Sequence, residues 1–360
     1  MRKIIFGGAF DPVHNGHINM ALNARKALNG EVFFLPAPIS VWKESSAPVK
    51  DKIAMLKLAI KGLDGLYIDE FEINSGKDTN YSIDTVRYFV EKYPKDEIYY
   101  LIGVDQVNEF HRWKDADELS RLAHIVFYDR PGHELKNENI DRFHMQRIEG
   151  SVVDVSSSEI RELKKYDVPA EVLFYIVENN LYSGMNQISM MLTPHRFNHS
   201  KSVAKLAYEI AKANGLENPL DAYIAGLFHD IGKDLAIEKQ KEIMKEHYSE
   251  YVDMPDFFYH QFVGAYLAEK LFNVKDKEIL TAIEFHTTGN ANMGKIAKII
   301  YAADKIEPTR GFDSSDLISA MMKDVDEGFK TVLQANKDFL LIQGKKVDNP
   351  LTCKCFEQYL

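Results

Sequence analysis

The 360-residue sequence has only two cysteines, Cys353 and Cys355. One residue apart, they are too close for an ordinary structural bridge, and two thiols alone cannot complete a four-ligand zinc site. No hydrophobic run approaches the ~18 residues of a membrane span. Met1-Arg2-Lys3 leads directly into a strand-like apolar run, without the n-region, h-region and cleavage-site pattern of a signal peptide, so a cytoplasmic location is expected. Positive charge is in short supply: 44 Lys and Arg against 54 Asp and Glu leave a net charge of −10, which argues against non-specific nucleic-acid binding. Internal repeats and low-complexity segments are missing as well. What remains is a 45% hydrophobic chain, ordinary for a globular protein and long enough for two domains.

The first half alternates strand-like and helix-like segments. Val32 to Leu35, Ile98 to Ile102 and Ile125 to Tyr128 are continuous apolar runs, as parallel strands buried on both faces require. Helical spacing lies between them, at Ile53, Leu56 and Leu58-Ala59-Ile60, then at Ile83, Val86 and Phe89-Val90. This rhythm predicts a doubly wound parallel sheet of the Rossmann-like kind over residues 1–184, with ligands at the carboxyl ends of its strands. Met185 to Pro194 shows no strong periodicity and reads as a linker. From 195 to 360 only helical spacing recurs, beginning with Val203, Leu206, Ala207, Ile210 and Ala211 and returning near 220–229, 260–272, 276–286, 294–304 and 315–335. The fold class is therefore α/β followed by all-α.

The densest motif lies at the start, Gly7-Gly8-Ala9-Phe10-Asp11-Pro12-Val13-His14-Asn15-Gly16-His17. A strand, a glycine turn and a helix N-terminus bring backbone N–H groups up to a phosphate. His14 and His17, three apart, can share one face of the first helical turn and donate to phosphate oxygens that gain charge. A second anion candidate is Ser156-Ser157-Ser158-Glu159-Ile160-Arg161. Ser156 and Glu159 form a capping box, and Arg161 offers a bidentate clamp one turn later.

These strings resemble the signatures of nucleotidyltransferases, and in particular the bacterial nicotinate-mononucleotide adenylyltransferases. Asn80-Tyr81-Ser82-Ile83-Asp84-Thr85 is similar to the segment with which that family holds the pyridine mononucleotide. Gly103-Val104-Asp105 followed by Trp113 is similar to its stretch in which the tryptophan stacks on the nicotinate ring. The resemblance implies transfer of AMP from ATP, as its Mg²⁺ complex, to nicotinate mononucleotide. It places His14 and His17 at the triphosphate and transition state, Arg161, Ser156 and Ser157 at the β- and γ-phosphates, and Asp105 at the adenosine. Gly7, Gly8, Phe10, Thr85 and Gly103 complete the expected contacts. Relatives carry Pro-Pro-His-Lys where this chain has Ser40-Val41-Trp42-Lys43, so only Lys43 is carried over from that loop. The triple serine also resembles phosphopantetheine adenylyltransferases, which keeps that activity as an alternative.

In the second half the chemistry-bearing residues are His199, His229-Asp230, His260, His286 and Asp304. Adjacent His and Asp in the apolar run Ala225 to Lys233 are costly to bury without a partner. Imidazole and carboxylate ligands without thiolates suit iron, manganese or zinc, and six ligands suggest two ions. The order resembles HD-domain phosphohydrolases. His260-Gln261, His286-Thr287-Thr288-Gly289 and Ala303-Asp304-Lys305-Ile306-Glu307-Pro308-Thr309-Arg310 are similar to the YqeK-type branch. That resemblance implies symmetrical cleavage of diadenosine tetraphosphate to two ADP at a dinuclear site, iron foremost, with Lys233 and Arg310 holding polyphosphate. A metal-containing sensor without turnover is the alternative. His195, His247, His124 and His144 are read as structural or surface residues. The expected partners are small nucleotides, with neither nucleic acid nor membrane, and a homo-oligomer is compatible with the sequence.

Overall fold

The computed structural model describes residues 1–38, 47–77, 79–128, 135, 137–150, 153–345 and 347–360. The chain divides into two compact units, Met1–Ser183 and Gly184–Leu360.

In the first unit the expected strands form β1 (Arg2–Gly8), β2 (Glu31–Pro36), β4 (Glu97–Gly103) and β5 (His124–Tyr128). Two three-residue strands, β3 (Leu66–Ile68) and β6 (Gln146–Ile148), flank them. All pairings are parallel and the order is β3-β2-β1-β4-β5-β6, a doubly wound sheet whose connections reverse direction between β1 and β4. Successive side chains of a strand point to opposite faces. Ile5, Leu35, Tyr100, Ile102 and Phe127 thus pack into one buried layer with Ile83, Val86 and Phe89 of the helix Ser82–Lys92.

The register explains where this sheet opens. Pairing of β1 with β4 stops at Ile5↔Tyr100. Beyond that point β1 stays with β2 as far as Gly8↔Pro36, while β4 stays with β5 as far as Gly103↔Tyr128. The two central strands part at their carboxyl ends, and a crevice forms at the topological switch point.

The second unit is helical throughout its described residues. Its main helices are Pro194–Ala213, Pro219–Phe228, Ile237–His247, Tyr259–Phe272, Lys277–Glu284, Lys295–Ile306, Ser315–Lys323, Val325–Ile342 and Pro350–Tyr359. Two expectations need correction. Residues 185–194, read as a linker without periodicity, lie largely within a helix, Tyr182–Met191; Met185, Ile188 and Leu192 are buried at helical spacing along it and just beyond. The single helical stretch expected over 315–335 is two helices broken at Asp324. That residue is extended (φ −160°, ψ 125°), and its carboxylate caps the second helix through the N–H groups of Asp326 and Glu327. No helix among the described residues is long and apolar enough to cross a membrane.

Candidate active sites

The crevice between β1 and β4 is a cleft of about 480 Å³. Gly7 and Gly8 line it from β1, and Leu101 to Gly103 from β4; His14 and His17 border it at the start of the helix Asn15–Leu28. The two imidazoles form that helix's cap. His14 Nδ1 accepts the N–H of His17 at 3.3 Å, and His17 Nδ1 accepts the N–H of His14 at 3.3 Å. Their rings stack with centroids 3.6 Å apart. An imidazole that accepts at Nδ1 carries its proton on Nε2 when neutral, so the cap leaves each ring a donor at Nε2.

The loop between strand and helix is fixed from behind. The Asp11 carboxylate takes hydrogen bonds from the Tyr182 hydroxyl (2.8 Å) and the Ala47 N–H (3.1 Å). The Arg161 guanidinium donates to the Asp11 carbonyl at 2.6 Å, and the Ser157 hydroxyl to the Pro12 carbonyl at 3.0 Å. Phe10 has a positive φ of 45° and folds its ring back on the strand; a Cβ at Gly8 would lie 3.0 Å from that ring, which is why the position is glycine.

Of the expected contacts, Gly7, Gly8, His14, His17, Gly103, Asp105 and Trp113 line the cleft. Trp113 is held there against Phe110 and the edge of Tyr100. Phe10, Thr85, Ser156, Ser157 and Arg161 do not line it. Thr85 is fully buried and its hydroxyl donates to Glu72 at 2.8 Å. Ser156 forms the capping box with Glu159. Lys43 lies outside the described residues. Glu72, Asn80, Ser82 and Tyr100 also border the cleft, and sequence reading gave them no individual role. Among the described lining residues there is no lysine or arginine. Burial pushes the Glu72 carboxyl above its ordinary range, against the Thr85 hydroxyl bond.

The second unit gathers its expected ligands from five places in the chain. His199 sits on the helix Pro194–Ala213, His229-Asp230 just after Pro219–Phe228, His260 on Tyr259–Phe272, His286 just beyond Lys277–Glu284, and Asp304 on Lys295–Ile306. Glycines set the spacing. A Cβ at Gly226 would lie 2.7 Å from Ala204 Cα, and one at Gly232 2.7 Å from the His260 carbonyl, so larger residues would force these segments apart. Two groups result, His199, His229 and Asp230, then Asp230, His260 and His286; within each the donor atoms lie within 4.8 Å of one another. Asp304 Oδ1 joins the first, 3.1 Å from His199 Nε2 and 3.7 Å from His229 Nε2.

All four imidazoles are tied at Nδ1. His229, His260 and His286 each reach the carbonyl three residues back, of Gly226, Phe257 and Ile283, at 2.7 to 2.8 Å. His199 Nδ1 meets Glu307 Oε1 at 2.9 Å. That leaves Nε2 to face the centre as the atom a metal takes, although His260 Nε2 also lies within reach of Lys233 Nζ and the Thr287 hydroxyl. His229 Nε2 is buried and has no hydrogen-bond partner, a costly arrangement unless something electrophilic binds there. Burial draws the His229 pKa down to about 4, so its ring is neutral at neutral pH. Burial alone would push the Asp230 carboxyl up, but His229, His286 and His260 hold it well below the usual carboxylate range. For Asp304 burial is likewise outweighed, by His199, Lys305 and His229. The donor set therefore fits divalent cations.

A cavity of about 440 Å³ opens over this centre. Lys233 and Arg310, both expected, line it, together with Arg196, Thr287, Thr309 and His195, which sequence reading had set aside. Lys233 Nζ lies 3.0 Å from His260 Nε2, and Arg310 donates to Asp304 Oδ1 at 2.5 Å.

A family model described as cytidylyltransferase-like matches residues 5–163, and one described as HD domain matches residues 196–309. A Mycoplasma genitalium protein named "Probable nicotinate-nucleotide adenylyltransferase/Ap4A hydrolase" is 36% identical over 311 residues, 85% of this chain and 87% of its own. The Mycoplasma pneumoniae protein of the same name is 30% identical over 342 residues, 92% of this chain and 98% of its own. A "Probable nicotinate-nucleotide adenylyltransferase" of Opitutus terrae is 35% identical over 193 residues, 51% of this chain and 98% of its own.

Proposed function

The chain belongs to the family of fused nicotinate-nucleotide adenylyltransferase/Ap4A hydrolases, and from that premise we propose which residues carry each of two reactions. In the first unit, nicotinate mononucleotide attacks ATP. Its phosphate oxygen bonds to the α-phosphorus, the bond from that phosphorus to the bridging oxygen breaks, and deamido-NAD and pyrophosphate leave. No covalent enzyme intermediate is needed, so catalysis is alignment plus charge stabilisation. The observation that carries this reading is the stacked pair His14 and His17 on the wall of the cleft, whose Nδ1 atoms accept the cap N–H groups, so that each neutral ring carries its proton on Nε2, a donor suited to phosphate oxygens. Arg161 and Ser157 act from behind, holding the loop carbonyls at Asp11 and Pro12. Trp113 stacks the pyridine ring, with Asp105 at the adenosine. A described lining with carboxylates at Glu72 and Asp105 and no cation suits a triphosphate that arrives with Mg²⁺, which neutralises phosphate charge and rarely needs a protein cage.

In the second unit His199, His229, Asp230 and Asp304 would hold one divalent ion, and Asp230, His260 and His286 a second, iron foremost, with manganese or zinc as alternatives. When bound, such a pair supplies a nucleophilic water at neutral pH and clamps a phosphate oxygen. The orphaned His229 Nε2 is the observation that supports it. Lys233, Arg310 and Arg196 bring positive charge to the polyphosphate of diadenosine tetraphosphate. We also read the protein as cytoplasmic, acting on small nucleotides and compatible with homo-oligomerisation.

Product analysis on the full chain tests both halves. ATP with nicotinate mononucleotide should give deamido-NAD and pyrophosphate, while phosphopantetheine should be inert as acceptor. Diadenosine tetraphosphate with Fe²⁺ or Mn²⁺ should give ADP alone. AMP plus ATP would overturn symmetrical cleavage, and tight binding without any ADP would leave a sensor.

A further inference from the structure

We propose that Glu307 is a positioning residue that backs His199 and makes the ion position built from His199, His229, Asp230 and Asp304 the tighter of two. The inference rests on the dinuclear reading above and adds an order to it. Three of the four histidines are anchored in the same local way, by a neutral carbonyl three residues earlier. His199 differs. Its Nδ1 meets a carboxylate 108 residues away, Glu307 Oε1, at 2.9 Å. Glu307 is only 1% exposed, and it cannot swing: the Thr309 hydroxyl donates to Oε1 at 2.7 Å and the Thr309 N–H to Oε2 at 2.7 Å.

A charged acceptor bonds an imidazole N–H more strongly than a neutral carbonyl does, and it pushes electron density toward Nε2. The same end of the centre holds two carboxylates, since Asp304 Oδ1 faces both His199 and His229. The other end has Asp230 alone, 3.6 and 3.7 Å from His260 and His286 Nε2, with the Lys233 ammonium 3.0 Å from His260 Nε2. Arg310 also reaches Asp304 Oδ1, but from a side chain 41% exposed that can turn out into water. Lys305 Nζ likewise lies 3.6 Å from Asp304 Oδ2 at the His199 end, so the cations do not separate the two positions; carboxylate count and the backing acceptor do, and both favour the His199 end.

Titration of the metal-free full chain with Mn²⁺, followed by calorimetry and by the electron spin resonance of the bound ion, tests this. The unaltered chain should bind two ions in two steps. Glu307→Gln, which keeps the shape and loses the charge, should weaken the tighter step by about 10–100-fold and hardly move the weaker one. Glu307→Asp, which keeps the charge but draws it back by one methylene, should fall between. His260→Ala should remove the weaker step and spare the tighter. Melting in chelator reports whether each variant folds; if Glu307→Gln does not, the partial loss in Glu307→Asp carries the test. Both steps unchanged, both weakened equally, or loss of the tighter step in His260→Ala would each overturn the proposal. A single ion on the unaltered chain would instead overturn the dinuclear reading itself.

Discussion

On the proposed reading the two sites solve the same problem, holding the phosphates of an adenine nucleotide, with different materials. The first uses two imidazoles fixed to backbone. Its histidines are held by a helix cap, its loop by guanidinium and hydroxyl bonds to carbonyls, and its described lining contains no lysine or arginine. The second uses ionisable side chains packed against one another, four histidines and two aspartates under three cations. A pair of imidazoles fixed to backbone leaves no cluster of buried charges to compensate and suits a substrate that brings its own cation. A cluster of buried ligands is stable only when its charges are compensated, which suits resident metal.

Three substitutions would break or sharpen this contrast. Asp230→Asn removes the carboxylate common to both ligand groups. Diadenosine tetraphosphate hydrolysis should fall by at least about 10³-fold, the scale of the several kcal/mol a metal contributes, while dinucleotide synthesis continues unchanged. A parallel loss of synthesis would refute the assignment of Asp230 to hydrolysis alone. His17→Ala is expected to lower kcat for synthesis by roughly 10²–10³-fold, the loss seen when one preorganised donor is removed, with hydrolysis unaffected; steady-state rates of both reactions on one preparation decide it. The smallest effect belongs to Glu72. Its folded pKa is raised by burial, so between the ordinary value of 4.5 and the raised one the folded chain holds a proton that the unfolded chain has lost. Stability from this group is therefore present at low pH and declines as pH rises through that window. Glu72→Gln should flatten the decline and raise the melting midpoint at pH 7 by a few degrees; identical slopes in both proteins would count against it.

How far the sequence discloses this molecule depends on how local each feature is. β2, β4 and β5 are legible because a parallel strand buried on both faces is a continuous apolar run. β3 and β6 are three residues long, and Leu66-Tyr67-Ile68 carries no pattern that a turn could not. The capping box at Ser156 is readable from four residues, whereas the reach of Arg161 to the Asp11 carbonyl spans 150 positions and shows only in three dimensions. Glu307 stands in plain view three residues after Asp304, yet its acceptor role depends on His199, 108 positions away. The four histidines stand in readable motifs, and the carbonyls that meet three of them at Nδ1 are local, each three residues back.

Tyr182 is the first residue of the helix that runs across the boundary between the units, and its hydroxyl rests on Asp11 in the loop that carries His14. Truncation ahead of that tyrosine would strip a strut from the nucleotide-joining loop, even though the excised part contains none of its signature residues. The seam between the halves is thus not spare cord: its opening turn is a component of the upstream machine, and any dissection of the chain has to leave it attached there.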